Sequence, residues 1–137
     1  MPKTVITSSG APVTGFTDRS TPSPIAQAIR FGNMLFVSGQ GPLDPTTKQV
    51  VDGDIEVQTR RTLSNLRSVL KAADADFSNV VNMRVVLRDV GDFKQFNEVF
   101  REEIGEDKVT RTCVGGTPHR HGVNVEIDCV AMFDQPR

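Results

Sequence analysis

Tryptophan and tyrosine are both absent from this 137-residue chain, and there are only two cysteines, Cys113 and Cys129. Two thiols are too few for a disulfide framework or a four-cysteine zinc site, so both read as free thiols on strands. Without Trp and Tyr, the core must be filled by Phe, Val, Leu and Ile, and no aromatic surface for stacking bases is evident. An excess of charge is missing too: 16 Lys and Arg stand against 17 Asp and Glu. That balance argues against nucleic acid as a partner and against an acidic solvating tail. No stretch approaches the roughly 20 apolar residues that a membrane span needs, and the opening MPKTVITSSG has no long apolar segment of the signal-peptide kind. The expectation is a cytoplasmic protein whose partner is a small molecule or another copy of itself. No repeat or linker divides the chain, so residues 1–137 read as one domain, long enough to bury roughly two-thirds of its unfolded surface.

What is present follows an α+β order. A short strand at residues 3–7 leads into SSGAPVTGFTDRSTPSP, residues 8–24, whose Ser, Thr, Gly and Pro predict a long loop. Residues 26–31 and 34–38 flank Gly32-Asn33, a hairpin signal. Ile55, Thr59, Leu63, Leu66, Val69, Leu70 and Ala73 recur at spacings of three and four, which predicts a helix over 55–73 capped by Asp54. Residues 80–87 read as a strand. Phe93, Phe96, Phe100 and Ile104 then mark a second helix, capped by Asp92 and stopped by Gly105. Residues 110–114 and 123–132 read as a closing hairpin joined by GGTPHRHG. The prediction is a mixed sheet of about six strands with two helices on one face. The uncovered face then calls for another subunit.

Chemistry-bearing residues concentrate near the C-terminus. Alternation puts Val123, Val125, Ile127 and Cys129 on the helix side of the last strand, with Asn124, Glu126 and Asp128 opposite. Arg111 is the nearest cation in sequence. It reads either as a salt-bridge partner of Glu126 or as a fork that grips a substrate carboxylate. His119 and His121 have the two-residue spacing of a shared metal, but no third ligand has a recognised spacing, so no metal is expected and an exposed loop pair is favoured. Cys113 alternates with Arg111 and reads as a packing residue or a backbone donor, since nothing orients His119 as its base. Gly115-Gly116 lacks the Lys-Ser/Thr of a phosphate loop and reads as a close backbone approach. Ser38, Gly39 and Gln40 read as ordinary turn chemistry, and Arg60, Arg61 and Arg67 as a solvated helix face.

The stretches AQAIRFGNMLFVSGQGPLDPTTKQVVDGDIEVQTRRTLSNLRSVLKAAD, VVNMRVVLRDVGDFKQFNEVF and TRTCV followed by VNVEIDCVAM together resemble the Rid family, also called YjgF or L-PSP, of enamine and imine deaminases. The resemblance runs from about Pro24 to Met132. It implies a chorismate-mutase-like homotrimer with cofactor-independent sites in the clefts between subunits, turning 2-aminoacrylate-type enamines and imines into 2-keto acids and ammonia. On the family's motifs, Arg111 binds the substrate carboxylate and Glu126 places the hydrolytic water. Ser38, Gly39, Ile25, Asn97 and the backbone at Cys113 line the pocket. Ile25 stands where the family has a tyrosine, and Val109-Thr110 stands where a proline or alanine is usual before the arginine. The GGTPHRHG segment is similar to the Pro-His-x-His of the 2-aminomuconate deaminase branch, which points to His119 and His121 as a specificity loop. The alternatives are a keto-acid-binding member without activity, a deaminase of a distinct substrate such as 2-aminomuconate, and the ribonuclease activity associated with the L-PSP name.

Overall fold

Gly32, at φ 61°, and Asn33 close the tight turn that the sequence marks, and the two strands it joins pair in register from Phe31–Met34 back to Ala28–Val37. The computed structural model describes residues 2–12 and 23–135; residues 13–22, most of the expected loop, lie outside the described residues. The strands are β1 (Thr4–Ile6), β2 (Ala28–Phe31), β3 (Met34–Gln40), β4 (Val80–Leu87), β5 (Thr110–Gly115) and β6 (Val125–Met132). The helices are α1 (Ile55–Ala72) and α2 (Phe93–Ile104). The strands form one sheet in the order β1-β2-β3-β6-β4-β5, antiparallel throughout except for the parallel pair β4-β5 joined through α2. None of the described helices is long and apolar enough to cross a membrane.

The strand order departs from the sequence reading at the C-terminal end. β5 and β6 are not a hairpin, because β4 lies between them and pairs with both. β5 is therefore an edge strand, and β6 runs through the middle of the sheet. The cause is a parallel crossover: strand β4, helix α2 and strand β5 form one βαβ unit, which leaves the closing strand to insert on the other side of β4.

The core lies between one face of the sheet and the two helices. Leu35, Val37, Met83, Val85, Val125, Ile127 and Cys129 supply the sheet side, and Leu63, Leu66, Leu70 and Phe96 the helix side. Helix α1 starts where expected, with the Asp54 carboxylate accepting from the Val57 N–H. Helix α2 does not, since Asp92 makes no side-chain cap. A short 3-10 turn at residues 90–92 precedes the helix, and there Asp89 accepts from the Gly91 N–H instead. The arginines of α1 are partly exposed, as expected of a polar face, but they also carry ion pairs. Arg60 bonds Glu56, Glu102 and Glu103, and Arg67 bonds Glu103, which ties α1 to α2. Arg61 turns back to the buried Asn65, whose amide in turn holds the Gly41 and Leu43 carbonyls.

Candidate active site

Register decides where the candidate residues go. On β5, Arg111 lies beside Met83 and Cys113 beside Val85, both core residues of β4, so these two side chains turn toward the helices. On β6, Glu126 lies opposite Val86, between the buried Val125 and Ile127, so its carboxylate emerges on the other face. Within one chain, Arg111 and Glu126 lie on opposite sides of the sheet. The salt bridge that the sequence left open between them does not form.

The Arg111 side is a cup built by α2. The guanidinium donates from Nη1 to Asn97 Oδ1 at 2.8 Å, and its carbon sits 4.7 Å from the Phe100 ring centre, 5.5 Å from Phe93 and 5.7 Å from Phe96. Rings at that distance attract the cation and restrict its tilt, while Asn97 fixes one nitrogen. These contacts are available because Arg111 points to the helix-covered face of the sheet, beneath α2. Cys113, half-buried beside it, packs against the core; burial pushes its thiol up and the Arg111 charge offsets part of that. Cys129 is pushed further, to about 12, by burial and by Asp128. Neither is set up as a thiolate nucleophile.

The open face of the sheet carries a groove of about 530 Å³, which Glu126 borders through its contact with Gly39 without lining it. Ile25, Ser38, Gly39, Phe36, Arg84 and Asp128 are among its lining residues. Ser38 is anchored, its hydroxyl donating to the Ala26 carbonyl at 2.7 Å and its N–H to the Gln27 carbonyl at 2.9 Å. Gly39 abuts Glu126 so closely that a Cβ there would collide with the carboxylate. The serine and glycine that sequence reasoning assigned to a turn belong instead to the end of a long strand. They lie where a register shift between β3 and β6 makes room for the acid.

His119 and His121 are exposed and join neither cluster. Their loop is held by Gln58, which donates to the Gly122 carbonyl and accepts from the Asn124 N–H, and by Arg120, which donates to the Lys48 carbonyl. Among the described residues no three His, Cys, Asp or Glu side chains converge as metal ligands. Gly115 and Gly116 do serve close approach: a Cβ at Gly115 would stand 2.6 Å from the Val90 side chain, and the Gly116 N–H donates to the Leu87 carbonyl. Two features went unread in the sequence, the three-phenylalanine cup and the Arg84–Asp128 pair. Alternation along residues 80–87 would have put Arg84 on the Glu126 face.

A family model described as endoribonuclease L-PSP matches residues 19–133. The chain belongs to the L-PSP family, which is the Rid family. A RutC family protein of Pyrococcus horikoshii is 42% identical over 108 residues, covering 79% of this chain and 86% of its own. The human protein named 2-iminobutanoate/2-iminopropanoate deaminase is 32% identical over 109 residues, 80% of each chain. In three dimensions, a crystal structure of the Rid family protein YyfA of Yersinia pestis superposes with a TM-score of 0.86. It is 30% identical and covers 96% of this chain and all of its own.

Proposed function

We propose that this protein hydrolyses imino acids to 2-keto acids and ammonia, at sites that two protomers of a homotrimer build together. The observation that carries the reading is the separation of Arg111 and Glu126 on opposite faces of one sheet. A site containing both must take the Arg111 cup from one protomer and the Glu126 face from the next. The open face offers a surface for this: Val5, Ile29, Phe36 and Val130 form a continuous apolar row across β1, β2, β3 and β6. The imine deaminase among the relatives supplies the reaction class.

Arg111, held by Asn97 and the phenylalanines, grips the substrate carboxylate with its free guanidinium edge. Water activated by Glu126 adds to C2, the carboxylate takes the proton, and the carbinolamine collapses as that proton returns to nitrogen and ammonia leaves. An imine carbon is already electrophilic, so the step requires no cofactor. The near balance of 16 basic and 17 acidic residues gives no support to the nuclease activity in the family's name.

Ammonia release from imines made in situ tests the reading. Arg111→Ala and Glu126→Gln should each lose at least about a hundredfold in rate while keeping the oligomer's elution volume. Full activity in either variant would remove that residue from the mechanism.

A further inference from the structure

We infer that Arg84 binds a second carboxylate, so that the site selects imines of dicarboxylic amino acids; this extends the deaminase reading and rests on it. Arg84 and Asp128 face each other across β4 and β6 in the groove that also holds Ser38 and Gly39. Among the described lining residues Arg84 is the only cation. Asp128 engages it through Nε alone, at 3.0 Å, and the side chain is 70% exposed in the isolated chain. Neither Nη1 nor Nη2 has a hydrogen-bond partner among the described residues. That terminal edge, with two parallel N–H groups, is the one that matches a carboxylate in a forked pair. Asp128 holds the opposite edge and so restricts the guanidinium's rotation.

Position relative to Glu126 gives the substrate its length. Val86 stands opposite Glu126, and Arg84 is two residues away on the same strand and face. Such diagonal neighbours are about 7–8 Å apart at the backbone, within reach of a long side chain. A four- or five-carbon imino diacid would place its C1 carboxylate on the neighbouring protomer's Arg111, its C2 beside the Glu126 water, and its far carboxylate on Arg84. Ile25 presents an apolar wall to the methylene carbons between them. The far carboxylate is unchanged by the reaction: the protonated C=N carbon and water give C=O and ammonium, with no net oxidation.

The test uses the full chain with imines generated in situ from L-alanine, L-aspartate and L-glutamate by amino-acid oxidases. The wild type should favour the aspartate- or glutamate-derived imine over the alanine-derived one by about tenfold in kcat/KM. Arg84→Gln should erase that preference through KM, bringing the aspartate- and glutamate-derived imines down toward the alanine-derived one. Arg84→Lys, with the charge but not the fork, should restore only part of it. An equal loss on all three imines, or no preference in the wild type, overturns the role of Arg84 and leaves deamination standing. Failure to accelerate any of them overturns the deaminase reading and this inference with it.

Discussion

At position 39 the groove has room for a hydrogen and nothing more. A Cβ there would run into Glu126, with the carboxyl carbon only 3.2 Å away, so Gly39→Ala displaces the acid without touching the core. The backbone at Gly39 does not occupy the left-handed region, so the substitution brings no backbone strain. Melting temperature should therefore move by no more than a few degrees, while imine turnover falls by at least about tenfold because the water is no longer held in line. Comparable turnover in the alanine variant would show that Glu126 has slack that the groove does not reveal. The face of Glu126 was legible from the sequence, since strict alternation from Val123 to Cys129 left only one side for the acids. The role of Gly39 was not, because the atom that forbids a methyl group lies 87 positions further along the chain, on a different strand.

Elements were legible where their pattern is local and lost where pairing is long-range. The periodicity from Ile55 to Leu70, the Gly32-Asn33 turn and the Gly105 stop all appear as read. The closing hairpin does not, because sequence adjacency favours β5 beside β6 and only the α2 crossover inverts that order. The pairing of Arg60 and Arg67 across to α2 also escaped a local reading, because Glu102 and Glu103 lie some forty positions further along the chain. Burial alone would raise the Glu103 carboxyl, but hydrogen bonds from Arg67 and Arg60 outweigh it and hold the group below its ordinary value. A depressed carboxyl contributes stability above its unfolded pKa, and that contribution is lost as pH falls through the folded one. Glu103→Gln should therefore cost about 1 kcal/mol at neutral pH, as a partly exposed network would. Denaturant melts should show the gap closing in acid, where both proteins carry a neutral group. A gap that persists at low pH would mean that packing, not charge, holds the two helices here.

On the scale of the whole molecule, the apolar row on the open face and the division of the site between two faces impose the same requirement. Val5 and Phe36 are 60% and 46% exposed in the isolated chain, and they sit in one row with Ile29 and Val130. A sheet with helices on one side only leaves such a row wet unless a partner covers it. If neighbouring protomers share each site, two inactive variants can rescue each other. In a mixed trimer, a cup from a Glu126→Gln protomer can meet a groove from an Arg111→Ala protomer, and that junction contains both intact residues. Random equal mixing places an intact pair at about a quarter of the junctions, so co-refolded variants should regain about a quarter of wild-type activity although neither has any alone. Sites confined to one protomer would give no recovery at any ratio. Arg111 and Glu126 point away from each other through the thickness of one sheet, so a site that uses both, as we propose, is one that two protomers can complement.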